Sequence, residues 1–130
     1  MEIKLTPEES EEYFYNSICN LCGYLSGYGL ELSYYDDHYK AAKKRLLNKN
    51  QGSVCYEDVM MEILRGGNPL KMIDHEGDGD MTREIFLGDV HKRVQKTPLN
   101  HLTDMIEGND DVITADVIVQ TCFYEEIVFG

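Results

Sequence analysis

The sequence predicts a mostly helical α+β fold: a single compact domain over residues 1–130, with about five to six helices and one small β-hairpin. Three observations predict it. Apolar residues recur at helical spacing in successive segments, with capping residues ahead of several and glycine behind them. The period changes over residues 70–87, where two short apolar runs flank the acidic stretch DHEGDGD. A chain of 130 residues, 42% hydrophobic and 28% charged, is long and apolar enough to bury a core without staples.

The first helix opens at LTPEESEE. Thr6 is its expected cap, Pro7 suits the first helical position, and Glu9 completes a capping box. Phe14, Ile18, Leu21 and Leu25 form its apolar stripe, and Gly27 or Gly29 is expected to stop it. LSYYDDHYKAAKKRLLNKNQG predicts a second helix capped by Ser33 and ended before Gly52. Its acids lie early and its bases late, as the helix dipole favours. SVCYEDVMMEILRGG predicts a third, with Tyr56, Val59, Met60, Ile63 and Leu64 on one face, closed by Gly66, Gly67 and Pro69.

Residues 70–73 and 82–87 predict the two strands of the hairpin. GDVHKRVQK returns to a short helix through Val90 and Val94. In TPLNHLTDMIEGNDD, Thr97 is the expected cap and Pro98 the first helical residue, with Leu99, Leu102 and Ile106 on one face. ITADVIVQTCFYEEIVFG reads two ways. Its β-branched content suggests a strand, whereas its length and a Thr114 cap suggest a helix. We favour the helix, although Glu125 and Glu126 at its end oppose the dipole. No internal repeat or low-complexity linker divides the chain.

The formal net charge is −12 and the sequence pI near 4.6. Repulsion disfavours direct contact with nucleic acid or an anionic membrane and favours a basic partner. No apolar run approaches the roughly 20 residues that span a bilayer, and MEIKLTPEESEE lacks the apolar region of a secretory signal. A cytosolic location follows as the expectation, with Cys19, Cys22, Cys55 and Cys122 as reduced thiols.

Several stretches could carry chemistry. In DHEGDGD, Asp74, Glu76 and Asp78 fall at positions 1, 3 and 5 of a calcium loop and Gly79 at position 6. Position 12 is Ile85 rather than the bidentate glutamate such a loop requires, and the preceding segment reads as a strand. A solvated hairpin turn is expected, with a cation site of another kind as the rival. Cys19 and Cys22 form a CxxC pair, but mid-helix, away from the N-terminal dipole that activates redox thiols. They are expected to be buried structural thiols; a zinc site completed by Cys55, Cys122 or the histidines is the alternative. There is no nucleophile elbow, phosphate-binding glycine loop, HExxH or dinucleotide fingerprint, although a Cys–His dyad brought together by the fold stays open.

Two surfaces stand out by charge. Residues 31–50 carry three acids and five bases, and Tyr34, Tyr35 and Tyr39 precede Lys43 and Arg45. Such a face can anchor a protein partner or stack and neutralise a nucleotide, or it can be an ordinary half-buried helix. After Lys96 there is no further lysine or arginine, while Asp104, Glu107, Asp110, Asp111, Asp116, Glu125 and Glu126 give the stretch −7. That asymmetry suggests a docking surface for a basic protein, including one whose nucleic-acid groove the acids would occupy as a charge mimic. Its rival is a plain solvated surface.

The C-terminal stretch NHLTDMIEGNDDVITADVIVQTCFYEEIVFG, about a quarter of the chain, resembles the ends of small uncharacterised acidic proteins of phages and gut-bacterial mobile elements. That resemblance implies a phage or host-interaction setting and transfers no functional residue. The functional expectation is a non-enzymatic interaction protein that binds a basic protein surface and needs no cofactor, with a homo-oligomer left open. The alternatives are a small-molecule or nucleotide binder using residues 34–45 and a metal-dependent enzyme using residues 74–80 or the cysteines.

Overall fold

A computed structural model describes residues 3–21, 24–49, 54–77 and 79–129. The expectations placed on Cys22, Gly52 and Asp78 lie outside the described residues. The described chain folds as α1 (Pro7–Asn20), a 3-10 turn (Tyr24–Tyr28), β1 (Leu30–Ser33), α2 (Asp36–Lys49), α3 (Tyr56–Arg65), β2 (Leu70–Asp74) and β3 (Arg83–Ile85). It continues through α4 (Leu87–Arg93), a second 3-10 turn (Val94–Lys96), α5 (Leu99–Ile106) and α6 (Val112–Tyr124). Six helices and a small antiparallel sheet make it a mostly α α+β fold.

α1 begins as its sequence dictates. Thr6 Oγ1 accepts from the Glu9 amide at 3.1 Å, and Glu9 Oε1 accepts from the Thr6 amide at 2.9 Å, a complete capping box. The helix ends at Asn20, however, not at Gly27. The chain then tightens into the 3-10 turn and reverses at Gly29, which sits at φ +73° with Glu76 packed where a Cβ would stand. That reversal makes residues 30–33 a strand, correcting the expected Ser33 cap. Leu30 is buried, and pairing with β2 outweighs whatever helical preference the segment has.

The hairpin is therefore part of a three-stranded sheet of order β1-β2-β3. Leu30 faces Asp74 and Ser33 faces Lys71 across the first pair; Leu70 faces Ile85 across the second. β3 is shorter than expected, because Leu87 already opens α4. Leu70, Met72 and Ile85 are fully buried and turn one face of the sheet to the helices.

α6 is the central helix. Residues 114–123 are all buried, with α1, α4, α5 and β3 packed about it. A helix covered on every side has no polar face, so no amphipathic period marks it in the sequence. Its cap is Asp111, whose carboxylate accepts from the Thr114 amide at 2.9 Å, rather than Thr114 itself. α5 also starts one residue later than expected. Pro98 is its cap residue, and Thr97 is buried.

The C-terminus folds back. Glu125 adopts a left-handed conformation at φ 62°, and its carboxylate reaches Arg93 at 3.3 Å and Lys96 at 3.8 Å. Those cations offset the opposed dipole that the sequence raised as an objection. The fully buried Gln120 accepts from the Val128 and Phe129 amides, each at 2.8 Å, and donates to Asp116 at 3.0 Å. Phe129 then stacks on Tyr28, ring centroids 5.4 Å apart.

Candidate interaction surfaces

The acidic end divides. Asp104 lies in α5, Glu107 caps its C-terminus and Asp111 caps α6, so Asp104, Glu107, Asp110 and Asp111 gather at one helix–helix turn. Gly108 makes this turn possible at φ +77°, where its amide bonds Met105 O and the next amide bonds Asp104 O. Asp110 accepts from Asn20 Nδ2 at 2.8 Å, which fastens the turn to the end of α1. The Thr114 amide holds the Asp111 carboxyl below the usual carboxylate range, so it stays ionised. Ile106 and Ile113, on either side of the turn, are 43% and 53% exposed.

Asp116 does not belong to this surface. It is buried beneath Tyr28, whose hydroxyl donates to it at 2.9 Å, and beside Gln120. Burial, with hydrogen bonds to Tyr24 and Asp116, pushes the Tyr28 hydroxyl well above its ordinary pKa and keeps it a donor. Periodicity could not separate Asp116 from the surface acids, because α6 has no exposed face against which to judge it.

The tyrosine–lysine face is largely turned on itself. Tyr34 and Tyr39 stack at 4.5 Å, and Tyr56 from α3 packs against both. Tyr35 donates to Glu84 and has Lys71 over its ring at 4.0 Å. Arg45 Nε donates to the Glu62 carboxylate at 2.9 Å, pairing a charge that α3 buries against the core. Lys43 and Lys44 remain exposed. Tyrosines paired with one another and an arginine paired with glutamate act first as packing between α2 and α3.

At the hairpin, Asp74 is buried at the end of β2. Its carboxylate accepts from the amides of Gly77 at 2.9 Å, Glu76 at 3.1 Å and Met81 at 3.2 Å. These donors, Gly77 first, hold its carboxyl below the usual range. Most of the lone pairs a cation would need, both on Oδ1 and one on Oδ2, are thus engaged by the turn's own backbone. Among the described residues, no group of three or more His, Cys, Asp or Glu side chains is arranged to hold a metal ion.

Of the described cysteines, Cys19 is half-buried and Cys55 exposed, both beside the Tyr15 hydroxyl, whereas Cys122 is buried near Arg93. Burial raises the Cys19 and Cys122 thiols above their ordinary values. The Cys55 sulfur lies 3.6 Å from the Tyr15 hydroxyl. His75 pairs with Glu31 at 2.8 Å and His91 with Glu11 at 2.9 Å, so both bond to carboxylates rather than thiols.

Two of the grooves on the described surface bear on binding. One, of about 560 Å³, runs between α1 and α3 past Glu8, Glu11, Glu12, Tyr15 and Asp58. The other, of about 350 Å³, lies beside β1, with Leu21, Leu25, Leu30, Leu32 and Met60 among its walls. Sequence reasoning missed the second because it assigns residues 30–31 to no element and expects Ser33 to cap a helix. The signal was present in LELS, an alternation placed just after Gly29.

No protein-family model matches the chain, and no curated protein or solved structure is similar to it. Among the described residues, no helix is long and apolar enough to cross a membrane.

Proposed function

We propose that the protein is a non-enzymatic interaction module that docks a basic protein surface through the α5–α6 turn. One observation carries the reading. Asp104, Glu107, Asp110 and Asp111 converge where Ile106 and Ile113 stand exposed, in a stretch without lysine or arginine. Apolar anchors rimmed by like charge suit a partner with the opposite pattern: the anchors supply buried area and the carboxylates orient and accelerate the encounter. Asp111 and Asp110 are held by the Thr114 amide and Asn20, so part of the rim is already in place before a partner arrives. We set the protein in the cytosol, where Cys19, Cys55 and Cys122 stay reduced.

The nucleotide-binding alternative keeps Lys43 and Lys44 but loses support from Arg45, which Glu62 already engages. The test is differential capture from lysate by the native protein and by the variant Asp104→Asn, Glu107→Gln, Asp110→Asn, Asp111→Asn. Asparagine still caps α6, so the fold is expected to persist. The expected result is a basic protein retained by the native form, released by added salt and absent from the variant. Equal capture by both forms would remove the turn from the proposal.

A further inference from the structure

β1 is an edge strand: β2 lies on one side of it and no described strand on the other. Its pairing fixes which backbone groups face outward. The His75 amide donates to Gly29 O at 2.9 Å, so Gly29 and His75 form a hydrogen-bonded pair. In an antiparallel ladder such pairs alternate with non-bonded ones. Glu31–Ile73 and Ser33–Lys71 are then bonded pairs, and Leu30 and Leu32 direct their N–H and C=O groups away from β2. Among the described residues, no backbone group of another element bonds to Leu30 or Leu32.

The outward edge opens on the groove of about 350 Å³, whose lining includes three consecutive β1 residues, Leu30, Glu31 and Leu32. Successive side chains leave a strand on opposite faces, so a cavity touched by all three runs along the strand's edge. The rest of the lining comes from the N-terminal half of α3, with Tyr56, Glu57 and Met60, and from α1 and the turn after it, with Ile18, Leu21 and Leu25, so most of it is apolar. A free strand edge facing a helix across an apolar trough is the arrangement that captures extended peptides by strand addition.

We propose that this edge takes up an extended segment of another protein as a fourth strand, with apolar residues alternating with Lys or Arg. Leu30 and Leu32 would supply the main-chain hydrogen bonds, and the trough would receive every second side chain. The carboxylates along the trough are Glu57 and Glu31, the latter also bonded to His75 at 2.8 Å, and its described lining holds no Lys or Arg. Charge complementarity therefore selects a basic segment. It also disfavours a second copy of this chain, because β1 pairing with β1 would bring Glu31 of each copy close together and join two molecules of charge −12. The inference uses a different surface from the α5–α6 turn and stands or falls separately.

The experiment titrates the isotope-labelled full chain with acetylated hexapeptides and follows backbone amide resonances. One set alternates Val, Leu or Phe with Lys, a second replaces Lys with Glu, and a third is the Lys set with alternate backbone nitrogens methylated. The Lys peptides should move the resonances of Leu30 and Leu32 and of the first turn of α3. Both the Glu set and the methylated set should bind at least about tenfold more weakly, since each loses charge or main-chain pairing. Equal binding of the methylated set would overturn strand addition, and equal binding of the Glu set would overturn the basic partner. So would the absence of saturable binding by any peptide, or shifts confined to residues 104–113. Dilution-dependent shifts at β1 without peptide would identify the occupant as a second copy and overturn the proposal.

Discussion

Asp74 shows how the same residues support two readings until the backbone is placed. Its spacing with Glu76 and Gly79 suits a calcium loop, yet three turn amides already occupy most of its carboxylate. Millimolar calcium should therefore leave the melting temperature unchanged, whereas a site occupied at 100 times its Kd would add about 2.7 kcal/mol. The same bonds set a pH dependence. Asp74, Asp58 and Asp111 all have carboxyls held below the usual range in the folded protein. Their contribution is present above the unfolded value of about 3.9 and is lost as pH falls through the lower folded values. Urea midpoints should drop steeply below about pH 4, and the gap between the native protein and Asp74→Asn should narrow over the same range. Asp116 illustrates the opposite limit. Nothing in its sequence neighbours separates it from Asp110 and Asp111, because the Tyr28 and Gln120 bonds that bury it come from the tertiary fold.

At the scale of elements, the start of α1 was legible because its signals are local, cap, box and proline lying within four residues, whereas its end was not, because the apolar stripe runs past Asn20 to Leu21 and Leu25. β1 and the start of α5 were not. The strand exists because β2 pairs with it some forty residues later in the chain, and Thr97 is drawn into the core instead of capping. α6 was ambiguous for a third reason, its burial on all sides. Its polar residues should consequently be costly to lose. Gln120→Ala leaves the Val128 and Phe129 amides and the Phe129 carbonyl without their partner, while Asp116 keeps the Tyr28 hydroxyl, and each group stranded away from water costs about 1–3 kcal/mol. Urea unfolding should show a loss on the order of 3 kcal/mol, with faster amide exchange in residues 126–129. Phe14→Ala, in the buried core, should cost about 3–5 kcal/mol by the same measurement. Thiol labelling checks the packing independently. Among the described cysteines, Cys55 should react first in the native protein and Cys122 only on unfolding; native-state labelling of Cys122 would contradict its burial.

For the whole molecule, charge is the dominant feature, and it was legible from composition because counting needs no fold. What counting could not supply was placement: which acids face solvent together, and beside which apolar side chains. The α5–α6 turn answers that with four carboxylates around Ile106 and Ile113, while Glu8, Glu11, Glu12 and Asp58 line a separate groove. If general acidity attracted partners, both regions would respond alike. If the turn is a docking surface, its anchors and rim should respond first. Screening acts over about 8 Å at physiological ionic strength, so either response weakens with salt, and location is the discriminating quantity.

The most direct measurement is amide shift mapping of the labelled protein against a basic amphipathic helical peptide, at low and raised salt, for the native chain and the four-site variant. The account predicts saturable shifts clustered over residues 104–113 and diminished by salt. They should be lost in the variant while its unperturbed resonances show an intact fold. Shifts spread equally over the α1–α3 groove and the turn, or a cluster at the turn that survives in the variant, would contradict it.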